Sequence, residues 1–177
     1  MPGYVVADVT VTDPETYADY RALTPGSIAA FDGRFLVRGG EHEVIAGGWT
    51  PGRLVLLEFD SLARAAAWYD SPAYVEARAI RQSASTGSLV MVAGDGAAKG
   101  EGCVYAIVRH GSDGSGLALS TGGRTLVSAR VPEVKEGAWS GARLSVLEFD
   151  DRAAAAAWRD AADAGQSGSE AVLVEGA

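Results

Sequence analysis

Several residue types are scarce in these 177 residues. The single cysteine, Cys103, excludes an internal disulfide framework and a cysteine-based zinc cluster. The only histidines, His42 and His110, stand far apart and neither belongs to an H-E-x-x-H pattern, so no metal site is expected. Lysine occurs twice, at Lys99 and Lys135, and Lys+Arg number 15 against 23 Asp+Glu. The resulting net charge of −8 argues against a phosphate-binding surface and hence against a nucleic-acid partner. No apolar run approaches the roughly 18 residues of a membrane helix. The opening MPGYVVADVT lacks the basic start and apolar stretch of a secretion signal, and the expectation is a cytoplasmic protein with no membrane partner. GDGAAKGEG lacks the GK[ST] ending of a phosphate loop, and no G-x-S-x-G elbow occurs. What is abundant is apolar residue, 47% of the chain, ample for a core.

An internal repeat organises these residues. Residues 33–70 laid over 123–160 match without a gap. Gly33, Arg34, Leu36 and Val37 fall on Gly123, Arg124, Leu126 and Val127. Trp49 falls on Trp139, and Trp68 on Trp158. The run Leu57-Glu58-Phe59-Asp60 falls on Leu147-Glu148-Phe149-Asp150. The closing LVMVAG at 89–94 is echoed by AVLVEG at 171–176. The second copy is shorter where the first has a helical segment from Asp13 to Phe31, and again after its second Trp. The expected organisation is a complete repeat over 1–94, a flexible linker over 95–102 and a pared repeat over 103–177.

Periodicity and punctuation give the elements. Residues 4–11 are β-branched and alternate, which predicts a strand. Asp13-Pro14-Glu15 is a helix start, and Pro25-Gly26 predicts a kink or break. Residues 34–38, 53–59 and 88–93 read as strands. Glu41 to Trp49 reads as a small hairpin closed at Gly47-Gly48. Asp60 or Ser61 caps a helix to Tyr69, and Ser71-Pro72 restarts one to about Arg81. The order β-α-β-β-α-β is the ferredoxin-like split βαβ. Such a sheet carries helices on one face and must bury the other. Two units in tandem solve this within one chain. The predicted fold is α+β: two ferredoxin-like βαββαβ units packed sheet to sheet as an intramolecular pseudo-dimeric α+β barrel, the second with shortened helices. The molecule is then a monomeric pseudo-dimer, with a further homodimer as the alternative.

The stretches YVVADVTVTDPETYADYRAL, GRFLVRGGEHEVIAGGW and RLVLLEFDSLARAAAWYDSPAYVEAR resemble the domain of unknown function 1330 family, a group of dimeric α+β barrel proteins. The resemblance covers most of residues 3–94 and, less closely, 123–160 and the last strand. It implies a fused dimer with one degenerate half. The wider barrel group includes cofactor-free monooxygenases, polyketide cyclases, haem-degrading enzymes and muconolactone-type isomerases, an analogy of fold alone.

Comparison of the two copies separates candidate site residues from scaffold. Glu58, repeated as Glu148, sits in an apolar strand with Arg34 as its natural partner. This pair reads either as a structural ion pair or as a catalytic acid with its substrate clamp. Asp8 has no acidic counterpart in a reading that aligns it with Ile107. Arg38, His42 and Tyr69 become Ser128, Pro132 and Arg159. Asp8, His42 and Glu58 are therefore the candidate proton-transfer groups. Arg34, Arg38, Tyr17, Tyr20, Tyr69 and Trp68 are the candidate substrate contacts in a first-repeat pocket. For each a packing or solvent-exposed role is the alternative. The functional expectation is an enzyme without a bound cofactor that performs cyclase, isomerase or lyase chemistry on a largely apolar, oxygenated small molecule. The alternatives are a non-catalytic binding or accessory protein and a cofactor-free monooxygenase.

Overall fold

The computed structural model describes residues 1–112, 122–161 and 168–177. In chain order the first repeat gives β1 (Gly3–Val11), α1 (Pro14–Ala29), β2 (Arg34–Arg38), β3 (His42–Ala46), β4 (Arg53–Phe59), α2 (Leu62–Tyr69), α3 (Pro72–Ala84) and β5 (Ser85–Ala93). The second gives β6 (Val104–His110), β7 (Arg124–Arg130), β8 (Glu133–Glu136), β9 (Arg143–Phe149), α4 (Arg152–Ala161) and β10 (Ser169–Glu175). The segments 113–121 and 162–167, where the second repeat reads as abbreviated, lie outside the described residues.

Local chemistry accounts for the helix starts. The Asp13 carboxylate accepts the amides of Glu15 and Thr16 at 3.1 and 3.2 Å. Ser61 and Ser71 do the same for Arg64 and Tyr74. Of the kink or break expected at Pro25, the break does not occur: α1 runs through it. Proline there removes the amide that would bond the carbonyl of Arg21, and the Arg38 guanidinium reaches that carbonyl instead, at 3.5 Å.

Two five-stranded antiparallel sheets result, in the orders β2-β4-β1-β5-β8 and β3-β10-β6-β9-β7. The expected hairpin over 41–49 does not form. β3 leaves its own repeat and pairs with β10, while β8 crosses the other way and pairs with β5. Each repeat thus completes the edge of the other's sheet. Two matching backbone bonds stitch the seams: Asp95 N–H to the carbonyl of Leu126 at 2.7 Å, and Ala177 N–H to that of Leu36 at 2.9 Å.

The strand registers fix which residues correspond. Tyr4 lies opposite Glu58 and Asp8 opposite Leu54; Tyr105 lies opposite Glu148 and Arg109 opposite Leu144. Asp8 therefore corresponds to Arg109, not to Ile107. The inner faces of the sheets meet in one apolar core that includes Val6, Leu54, Leu56, Val90, Ile107, Leu144, Val146 and Val172. The helices cover the outer faces. The molecule is a pseudo-dimeric α+β barrel within one chain. No helix among the described residues is long and apolar enough to cross a membrane.

Candidate functional site

The sequence-predicted residues do not gather in one place. They divide among four regions of the barrel.

Glu58 and Arg34 meet where the linker crosses the barrel end. Arg34 Nε donates to Glu58 Oε2 at 2.7 Å, and the Tyr4 hydroxyl donates to Oε1 at 2.9 Å. The backbone amide of Ala98 donates to the same Oε1 at 2.8 Å. Glu148 repeats the arrangement: it accepts from Lys99 N at 2.9 Å, Gly100 N at 3.0 Å and the Tyr105 hydroxyl at 3.1 Å, with Arg124 3.2 Å away. Burial, followed by the adjacent Glu58 and Glu148 charges, raises the Tyr4 and Tyr105 phenols well above their ordinary value. The residues read as a flexible linker are thus bonded to two buried carboxylates. Arg34 and Glu58 hold this joint, and Arg34 also donates to the Ala98 carbonyl of the linker at 2.6 Å.

Tyr17, Tyr20, Arg38, Trp68 and Tyr69 lie on the helical side of the first repeat, where the outer face is filled. Trp68 is 1% exposed, stacks on Tyr74 at 3.9 Å between ring centroids and bonds the Ser27 hydroxyl at 3.1 Å. Tyr17 packs on Tyr20 at 5.2 Å, and Arg38 covers the Phe35 ring at 4.7 Å. The Tyr69 hydroxyl donates to Glu136, brought by the exchanged strand β8, at 2.9 Å. The remaining gap beside Tyr17, Tyr20 and Arg38 measures about 20 Å³, about the size of one water. The gap that Tyr17, Tyr20 and Arg38 line in place of the expected first-repeat pocket is thus a small one.

His42 is carried by β3 to the opposite sheet. There it lines a cleft of about 300 Å³ between β3, β10 and α4, the lower end of the range for ligand cavities. Val104, Ala155 and Leu173 form an apolar floor; His42, Arg152 and Arg159 stand at the rim with Glu41, Glu43 and Glu175. Arg159 Nη1 pairs with Glu43 at 3.1 Å, and Arg152 pairs with Glu175. The cleft exists because the two repeats differ here. In the first repeat the position of Val104 is Gly3, where a Cβ would sit 2.5 Å from the Leu62 Cα, so α2 rests on bare backbone. Leu62 and Tyr69 fill the places of Arg152 and Arg159, and Pro132 that of His42. Substituting Val, Arg and Arg widens the helix–sheet gap and gives it a charged rim.

Asp8 faces a separate polar cleft at the other end of the barrel, beside Thr10, Thr50, Ser88 and Arg109. Its carboxylate accepts Trp49 Nε1 at 2.8 Å and the amide of Gly52 at 2.9 Å.

A family model described as Domain of unknown function (DUF1330) matches residues 2–95 and 115–166. The chain belongs to the DUF1330 family. Among solved structures this DUF1330 protein is similar to an anthrone oxidase-like protein, at 15% identity and a TM-score of 0.50, with 99% of this chain and 91% of that one covered. That likeness supports the full-length barrel fold. It is also similar to a protein of unknown function from Rhodopseudomonas palustris, at 21% identity over 52% of this chain and 81% of that one, TM-score 0.45. No curated protein matches the chain.

Arg152, Arg159 and Arg109 line these clefts and are not among the candidates that comparison of the complete repeat with the pared one singles out. The available signal was the reverse substitution, apolar to charged, at Leu62→Arg152 across the two copies. Arg109 was hidden by the alignment of the first strands.

Proposed function

We propose that this DUF1330 protein is a cofactor-independent small-molecule enzyme whose site is the His42 cleft of the second repeat. The observation that carries the reading is that cleft itself. It is the larger of the two helix–sheet gaps described, with an apolar floor for a hydrocarbon body and a rim holding one imidazole and two guanidinium groups. A largely apolar substrate with a carbonyl or phenolic oxygen lies on Val104, Ala155 and Leu173. Its oxygen turns to Arg159 or Arg152, which exchange a carboxylate partner for it. His42 then takes a proton from carbon and returns it elsewhere, the chemistry shared by cyclases, isomerases and lyases. The guanidinium stabilises the enolate oxygen that forms.

Two observations favour a non-catalytic binding role instead: the first repeat's helix–sheet gap is small, and His42 is open to solvent. A single measurement separates the two. Enolisable aryl ketones and β-keto acids are incubated with the protein in deuterated water, and exchange at the acidic carbon is followed by NMR. The enzyme reading expects accelerated exchange that falls about 10²-fold in His42→Ala, with ligand binding kept. Binding without exchange in the wild type supports the binding role. Exchange unchanged in His42→Ala rejects the assignment of His42. The anthrone oxidase-like neighbour makes oxygen uptake the companion measurement.

A further inference from the structure

The second cleft, about 300 Å³ at the barrel end opposite the linker, is lined by Asp8, Thr10, Thr50, Ser88 and Arg109. It shares no lining residue with the His42 cleft. Its charge pattern follows from the broken symmetry of the repeats. In the second sheet Arg109 lies across from Glu170, and the two form an ion pair at 2.6 Å. At the corresponding place in the first sheet Asp8 lies across from Ser88. Among the described residues Asp8 has no cationic partner; its bonds go to Trp49 and Gly52. The Arg109 side chain is only 10% exposed, lies 3.9 Å over the Trp49 ring, and leaves its buried Nε–H without an acceptor. The cleft is therefore lined by an unneutralised carboxylate and three hydroxyls, and the Arg109 on its wall keeps one unsatisfied, buried guanidinium donor. With Glu170 cancelling Arg109, Asp8 leaves the local charge at about −1.

We propose that this cleft binds a small primary ammonium compound that also carries a neutral oxygen acceptor, the class of amino-acid amides and amino alcohols. An ammonium has three donors and no acceptor. Asp8 meets one with opposite charge, and the Ser88, Thr10 and Thr50 hydroxyls meet the others. The ligand oxygen takes the free N–H of Arg109. The net charge of −8 favours approach of a cation. Free carboxylates are disfavoured by Asp8 and Glu170 together.

The test uses the full chain and follows indole N–H resonances by NMR, since the Trp49 N–H is bonded to Asp8. The probes are glycinamide, ethylammonium, acetamide and acetate. Glycinamide is expected to move the Trp49 signal with a dissociation constant of about 1 mM or tighter, at least tenfold below that of ethylammonium or acetamide. Asp8→Asn should weaken glycinamide at least tenfold. Thr50→Leu, at an exposed position, should fill the cleft and weaken it similarly with an unchanged melting temperature, which guards against misfolding of the Asp8 variant. No shift with glycinamide, acetate binding as well as glycinamide, or indifference to both substitutions would each overturn the proposal.

Discussion

Glu58 and Glu148 each accept hydrogen bonds from a phenol and from linker backbone, and each lies beside an arginine. Removing either carboxylate takes the acceptor from the linker amides, while the phenols keep the Gly96 and Gly100 carbonyls. Glu58→Ala is expected to cost about 1–2 kcal/mol in urea unfolding, the range for leaving the buried Ala98 amide unsatisfied beside a half-exposed Arg34; a loss within experimental error would mean that the joint is not a source of stability. His110 offers a second test. It is 4% exposed, and its Nε2 lies 2.8 Å from the Ser145 hydroxyl. Burial, assisted by Arg143, lowers its pKa below the usual 6.5. The folded state thus disfavours the charged ring, and the unfolded chain takes up the proton first. Stability should be full above about pH 6.5 and should decline as the pH falls from there toward the lowered folded value. Val9 and Val55 occupy these two places in the first repeat, so His110→Val with Ser145→Val should flatten that decline. A pH profile between 5 and 7 identical to wild type would rule out His110 as its source.

At the scale of elements, the exchanged strand β8 delivers Glu136 into the helical layer of the first repeat. There it accepts from Arg81 at 2.5 Å, Tyr69 at 2.9 Å and Gln82 at 3.0 Å. Burial pushes the Glu136 pKa up, but the Gln82 bond, the Arg81 charge and the Tyr69 bond outweigh it, and the net shift is downward. Its contribution is present above the ordinary carboxyl value of 4.5 and is lost as pH falls through the lower folded value. Glu136→Gln should therefore destabilise the protein at pH 7 and shrink its loss of stability below about pH 4.5, read by thermal melts across that range. This strand also marks where sequence reading stopped. The β3 segment lies in the stretch that reads as a hairpin, and Gly47 does adopt positive φ, +76°. Nothing local states which sheet an edge strand joins, because its partner is chosen by closure of the whole barrel. The helix caps and the Arg34–Glu58 pair were legible, since each depends on residues close in sequence or on adjacent strands. The Asp8–Arg109 correspondence was not. The repeats differ in length after their first strands, so the first strands align only on their own pattern, and the match of Asp8 to Ile107 is a slip of two residues that period-two alternation does not reveal. The His42 cleft was hidden for the same reason as the strand exchange, as two of its walls come from different repeats.

For the whole molecule, the two repeats share one inner core, exchange edge strands and are joined by a bonded linker. They have no independent way to bury their sheets. Calorimetry should show one transition with calorimetric and van't Hoff enthalpies in agreement; two resolved transitions would mean that the halves melt separately. A last consequence concerns chain order. Gly94 N–H bonds the Pro2 carbonyl at 2.8 Å, and Gly176 N–H bonds the Cys103 carbonyl at 3.0 Å. The gap that residues 95–102 bridge, from 94 to 103, is matched across the pseudo-two-fold by the gap from 176 to 2. A peptide of similar length joining the last residue to the first would close the backbone into a ring. Opening that ring between 94 and 103 would give a circular permutant in which the pared repeat is made first and the complete one second, with every strand in its present place.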